Sequence, residues 1–348
     1  MMTCEDAKIN KMVLHKVGNK NNNEPLGLSK APFMLHPDIS SLLLKYFLTP
    51  FKSNMYYNFS HDTNLDLNKV FVFCREIFSN PEQNLYEQSC NIANHLYQTS
   101  IHPNIKSGEL YVTYLENCYL NGEILDAIGI FKSESKETYL KVYPQGEGFE
   151  IESDSGININ KLDKGCIIFN CEQENGYVAS VVDTISRANE AVFWIDDFLH
   201  LRQRKDNYFN TEHAIDMCRG FVNEYLPTEF EMGKADQAEL LSKSANYFKE
   251  HNNFNIEDFR NTAFEQPELQ NAFNNYKQTY EEEMDMEFTD NFTVDGEAFR
   301  KGQRFFKSIL KLDKNFTVYI HGKRERMEQG TDQASGLKYY KFYYQEEK

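Results

Sequence analysis

Residues 108–134 read GELYVTYLENCYLNGEILDAIGIFKSE, and the fold turns on how this stretch is parsed. Two runs rich in β-branched and aromatic residues flank the dipeptide Asn121-Gly122. Both residues tolerate the positive φ of a type I′ turn, so the stretch predicts a β-hairpin. Its second run is apolar on both alternating faces, with Ile124, Ile128 and Ile130 on one and Leu125, Ala127 and Phe131 on the other. That pattern predicts a strand covered on both sides, at the centre of a mixed or antiparallel sheet.

Upstream, KINKMVLHKV at 8–17 reads as a first strand, and the polar GNKNNNEP that follows reads as a solvated loop. Ile39, Leu42, Leu43, Tyr46 and Phe47 recur at helical spacing until Pro50 stops the helix. Leu67, Val70, Phe71, Cys74, Ile77 and Phe78 form a second stripe. Pro81 opens a third helix with Leu85, Ile92, Ala93 and Leu96 inside. Downstream, Leu140–Tyr143, Gly165–Asn170 and Tyr177–Val182 read as short strands, and AVFWIDDFL at 191–199 as the exit from the sheet. The polar RQRKDNYFNTEH is the expected domain junction. A helix capped by Asn210 or Thr211 follows, then one with a capping-box-like start at Asp236 and Glu239, a short one around Phe259 and one from Pro267. EEEMDMEFTD reads as a solvated connector, and FFKSILKL, NFTVYIHG and KYYKFYYQ as terminal strands. The expected fold class is α+β. Residues 1–201 form a sheet with packed helices, and residues 202–348 a helical segment ending in a small antiparallel sheet.

Composition narrows the function. The chain has 348 residues, 41% of them hydrophobic and 14% aromatic, as in a globular protein. It has no apolar run long enough for a membrane span and no signal-peptide pattern. Seven cysteines at positions 4, 74, 90, 118, 166, 171 and 218 do not make a disulfide framework; buried thiols in a reducing, cytoplasmic setting are expected. The net charge of −16 is unfavourable for a simple nucleic-acid binder, but it is unevenly spread. Residues 1–200 carry −10, residues 201–295 carry −11, and residues 296–348 carry +5. A basic tail on an acidic body points to a localised contact surface.

Five blocks, INKMVLHKVG, SGELYVTYLE, DAIGIFKSESK, INKLDKGCIIFN and AVFWIDDFL, in this order and spacing, resemble the bacterial nucleoid-associated protein family, best over residues 8–225. The resemblance implies a cytoplasmic, nucleoid-located, DNA-associated protein with no established chemistry.

The expected binding residues are the tail's cations, Arg300, Lys301, Arg304, Lys307, Lys311, Lys314, Lys323, Arg324, Arg326, Lys338 and Lys341, interleaved with Phe305, Phe306, Phe316, Tyr319 and Tyr339–Tyr344. Cations hold phosphates without reading sequence, and aromatics can stack on bases. The simpler reading is a half-buried sheet with lysines guarding its edge. The expected partner is DNA, contacted directly or through a DNA-bound protein, with self-association possible and no membrane or cofactor. A second function class is an acidic module that engages basic partners or mimics DNA. A third is a metal-dependent nuclease, in which Asp126 and Glu134 would hold Mg²⁺ and Lys136 would assist water; Glu134–Lys136 reads better as a solvated turn. Asp196 and Asp197 suit a helix start, His95 and His102 have no ligand partner nearby in sequence, and Cys166 and Cys171 lack C-x-x-C spacing. No phosphate-loop, dinucleotide-binding or nucleophile-elbow motif is present.

Overall fold

The computed structural model describes residues 2–3, 6–184, 193–306, 308–320 and 326–346, with the backbone alone at 308–311 and 320. The chain divides into two compact units, Met1–Arg204 and Lys205–Lys348.

The first unit runs β1 (Met2–Thr3), β2 (Lys8–Val17), β3 (Leu26–Gly27), α1 (Pro37–Leu48), β4 (Tyr57–Phe59), α2 (Lys69–Ser79), α3 (Pro81–Thr99), β5 (Gly108–Leu120), β6 (Glu123–Ser133), β7 (Glu137–Gln145), β8 (Gly148–Gly156), β9 (Lys164–Phe169), β10 (Val178–Asp183) and β11 (Leu201–Gln203). Nine strands form one sheet in the order β11-β4-β10-β9-β6-β5-β2-β3, with β1 also on β5. Every pairing is antiparallel, so the mixed alternative is not realised. At its centre the hairpin dictates this: Asn121 (φ 50°) and Gly122 (φ 101°) join β5 to β6 in two residues, a link too short for a parallel crossover.

The sheet is covered on both faces. Ile128 and Ile130 of β6 pack with α2 and α3, through Val70, Cys74, Leu85 and Ile92, and with Trp194 and Phe198 of the π-helical turn Phe193–Leu199. Ala127 and Phe131 face α1, where Phe47 stacks on Phe131 at 4.2 Å between ring centroids. Burial is confined to the second half of β6: Glu123 and Ile124 are exposed beside the turn. Register shifts in β2 (between Ile9 and Lys11) and β5 (between Leu115 and Cys118) break simple alternation. Val112 faces α2 and α3, whereas Cys118 and Leu120, also even-numbered, face α1, because Asn117 (φ 59°) adds a residue between them.

Three expectations for the first unit change. Ile39 and Leu42 are exposed, and only Tyr46 and Phe47 of α1 are buried. Leu67 lies outside the second helix, because Asn68 accepts the Phe71 N–H and starts α2 there. The expected short strand at Leu140–Tyr143 is part of a longer β7, paired with the unanticipated β8 in a ribbon separate from the main sheet.

The second unit contains α4 (Asn207–Gly220), α5 (Leu226–Glu229), α6 (Lys234–Glu250), β12 (Asn253–Asn255), α7 (Ile256–Ala263), α8 (Pro267–Glu283), β13 (Asn291–Thr293), α9 (Gly296–Gly302), β14 (Ser308–Leu312), β15 (Phe316–Ile320), β16 (Met327–Thr331) and β17 (Lys338–Phe342). Its core is aromatic: Phe221 meets Phe273 edge-on at 5.1 Å and Phe254 stacks on Phe292 at 4.8 Å. Asp206, not Asn210 or Thr211, caps α4 by accepting the Phe209 N–H at 3.1 Å. Asn210 and Thr211 are buried within the helix, and the Thr211 hydroxyl returns to the Asn207 carbonyl at 2.7 Å. The Glu281–Asp290 run is not wholly solvated, because Phe288 is buried in the core. The terminal strands form two ribbons, β14–β15 and β16–β17, and β16 was not expected. Met327, Tyr340, Leu312 and Val318 pack with Ala235 of α6.

Candidate nucleic-acid interface

The eleven candidate cations do not form one strand-borne row. Arg300 and Lys301 lie on α9, which Asp295 caps by accepting the N–H groups of Glu297 and Ala298 at 2.9 Å. Arg304 lies on the 3₁₀ turn that continues it. Lys301 is already occupied: its ammonium sits 2.8 Å from Glu297, donates to the Tyr208 hydroxyl at 3.1 Å and lies over the Tyr208 ring. Lys338 and Lys341 are three residues apart on β17 and so point to opposite faces. Lys341 is 3.4 Å from Glu328, its cross-strand partner, and lies over Tyr339. Lys307, Lys323 and Arg324, and the side chain of Lys311, lie outside the described residues. Arg300, Arg304, Lys314, Arg326 and Lys338 are exposed and, among the described residues, have no ion pair.

A residue outside the tail joins this group. The guanidinium of Arg219, on α4, lies 4.9 Å from the centroid of Phe305, and that of Arg304 lies 4.7 Å from the same centroid. The close packing of α9 on α4 makes this possible: a Cβ added at Gly302 would fall 2.6 Å from the Ile215 side chain. Two guanidinium groups on one ring repel, and the available compensation is Asp216, 3.7 Å from Arg219. Nothing local in the sequence links Arg219 to a tail some 80 positions later; Gly302 within FRKGQRF is the only trace of the close approach. Of the tail's aromatics, Phe306 is buried, Phe305 is half-buried, and Phe316, Tyr319, Tyr343 and Tyr344 are exposed.

The nuclease constellation is not assembled. Asp126 and Glu134 are eight residues apart along β6 and its end, roughly 26 Å at the rise of a strand. Asp126 accepts the Tyr114 hydroxyl at 2.8 Å, which gives that carboxylate a structural partner. Glu134 is not in a solvated turn. Its side chain is buried against Lys132 at 2.7 Å, and burial holds the Lys132 ammonium below the usual lysine range. Asp163 accepts the backbone N–H groups of Glu134 and Ser135 at 2.6 and 2.7 Å, while Lys136 pairs with Glu109 at 2.7 Å. Asp196 pairs with Arg202, and His95 lies 3.2 Å from the Phe198 carbonyl. Cys74, Cys166 and Cys218 are buried free thiols, and Cys118 is buried. Among the described residues, no group of three or more His, Cys, Asp or Glu is placed to hold a metal ion, and no helix is long and apolar enough to cross a membrane.

No curated protein matches the sequence. The family described as nucleoid-associated protein YejK matches residues 13–334, a span that takes in the main sheet from Val13 of β2 onward, the β14–β15 ribbon, β16 and the Arg219–Phe305–Arg304 contact, and the chain therefore belongs to that family.

Proposed function

We propose that this chain is a non-enzymatic component of the bacterial nucleoid that binds DNA through the basic surface of its second unit, with Arg219, Arg300 and Arg304 as phosphate contacts. The convergence of Arg219 and Arg304 on Phe305 carries the reading. Guanidinium groups bind phosphate oxygens in bidentate geometry, and an anion between two of them relieves their repulsion. Arg300, exposed like Arg304, lies four residues before it and adds a third cation. Family membership supports the nucleoid setting. The acidic remainder of the chain confines DNA to this surface, because duplex phosphates are repelled elsewhere.

The test is a gel-shift and fluorescence titration of a short duplex across a salt series. Arg300→Glu/Arg304→Glu is expected to weaken binding at least about tenfold at 100 mM salt and to lower the slope of log affinity against log salt by roughly 2. Unchanged affinity and slope overturn the reading. A wild-type protein with no salt-dependent binding of its own would instead place its nucleoid association on a DNA-bound partner.

A further inference from the structure

We propose that the β7–β8 ribbon is an exchange arm that lies over residues 28–42 of a second copy of this chain. Among the described residues the ribbon pairs only with itself, and a two-stranded hairpin standing alone is marginal in water. Its two faces are sharply unlike. Lys141 pairs with Asp154 and the Tyr143 hydroxyl donates to Glu152 at 2.7 Å, so one face is a wired polar surface. On the other face Val142 lies opposite Ile151 and Pro144 opposite Phe149, with Leu140 alongside. Leu140, Val142, Phe149 and Ile151 are 61–79% exposed. An apolar face with no charge on it has nothing to offer DNA or a basic peptide. It fits another apolar surface.

The arm is presented from a fixed root. The buried Lys132–Glu134 pair and the two N–H groups held by Asp163 lock the chain where it leaves β6, and Asn158 donates to Glu137 at 2.9 Å where the strands begin. In the same unit, Leu28, Phe33, Met34, Ile39 and Leu42 of the 28–42 run are 41–79% exposed. The register puts the start of this run at the same end of the sheet as the arm's root, since Leu26 pairs with Val17, Val17 with Gly108, and Glu109 with Ser133; from there the run passes back along β2 to Phe33, whose N–H donates to the Met12 carbonyl at 2.8 Å. Charge selects between the two ways a second copy can cover the arm. Residues 137–156 carry −4 and residues 28–42 carry no net charge, so arm against arm is repulsive and arm against the 28–42 run is not. Area selects the same way. A nine-residue strand pair presents a face of roughly 30 by 10 Å, so two stacked arms would bury only about 600 Å², below the roughly 1,200 Å² of a stable interface. Reciprocal exchange buries four such faces, roughly 1,200 Å², and closes as a two-fold dimer.

The experiment is light scattering and sedimentation equilibrium on the full chain. Wild type is expected at twice the 40.8 kDa chain mass. Val142→Glu/Ile151→Glu on the arm and Met34→Glu/Leu42→Glu on the 28–42 run each replace exposed side chains, so both variants should keep the wild-type circular dichroism. Each is expected to raise the dimer dissociation constant by roughly 100-fold or more. An equimolar mixture of the two retains one intact arm-and-run contact and is expected to associate more tightly than either variant alone. A monomeric wild type, a Met34→Glu/Leu42→Glu protein that dimerises as wild type does, or a mixture no tighter than its components overturns the proposal.

Discussion

The root of the β7–β8 ribbon and the α9 surface both gather cations, and they use them in opposite ways. At the root, Lys132 is wholly buried, 2.7 Å from Glu134 and 2.7 Å from the Lys106 carbonyl, with Lys164 buried against Asp183 at 2.8 Å nearby in the sheet. Each charge there is answered by a carboxylate within one contact. On α9 and the turn after it, Arg300 and Arg304 are exposed, and Arg304 shares an aromatic ring with another guanidinium. The first arrangement fixes the chain and leaves little field outside. The second leaves positive charge available to an incoming anion. A segment's net charge therefore says less about its role than the distance from each cation to its nearest carboxylate.

The comparison breaks most severely if the buried pair is removed one partner at a time. Glu134→Gln leaves the Lys132 ammonium buried without its counter-charge and is expected to cost roughly 3–5 kcal/mol in urea unfolding of the first unit. Lys132→Met/Glu134→Met, which removes both charges, should recover most of that loss, because well-packed apolar replacements of a buried pair are often neutral. A single-variant loss below about 1 kcal/mol would mean that the pair is solvated and the root is not rigid.

A smaller effect comes from titrating the first unit. His15 is buried, and burial lowers its pKa from 6.5 to about 4. Its hydrogen bonds require the neutral ring: the Ser29 N–H points at Nδ1 at 3.2 Å, so that nitrogen accepts, and Nε2 donates to the Ser89 hydroxyl at 3.0 Å, which itself donates to the Tyr86 carbonyl. The folded pKa lies below the unfolded one, so the stabilisation is complete above pH 6.5 and is lost as pH falls from 6.5 towards 4. Between pH 7 and 4.5 this should remove roughly 1–2 kcal/mol, and His15→Gln should flatten that part of the stability profile. His95, also lowered to about 4 by burial, adds a second contribution with the same sign.

The two regions were not equally legible in the sequence. The sheet announced itself because its signals are local: Asn121-Gly122 needs positive φ, and the bounds of β2 and the start of α3 at Pro81 follow from alternation and proline geometry. Alternation failed at Cys118, where a bulge changes which face the next residue joins, and the exposure of Ile39 and Leu42 is invisible to a pattern that records only hydrophobic spacing. Glu134 was misread because SESKE is polar throughout, and only the fold shows that two of its neighbours, Lys132 and Asp163, close over it. For the candidate interface, the sequence located the cations but not their partners. It could not show that Glu297 and Glu328 occupy Lys301 and Lys341, and it had no means of bringing Arg219 to Phe305.

The smallest expected effects separate cations within the tail itself. Lys341 and Lys338 sit three positions apart on β17, so a count of charges treats them alike, yet they face opposite ways. Lys341 is engaged by Glu328, which also accepts the Tyr343 hydroxyl at 2.7 Å. Lys338 stands on the other face, with no ion pair among the described residues. If unpaired cations are what bind phosphate, Lys338→Ala should lower the salt slope of DNA binding by about 1, whereas Lys341→Ala should leave the slope and the unfolding midpoint unchanged. Removing Lys341 releases one carboxylate beside the strand, so Glu328→Gln is the informative counterpart: it frees the Lys341 ammonium and should tighten binding slightly, in the opposite direction to Lys338→Ala. Equal slopes for Lys338→Ala and Lys341→Ala would show that the tail acts through its summed charge alone, and the distinction between answered and unanswered cations would lose its force on this surface.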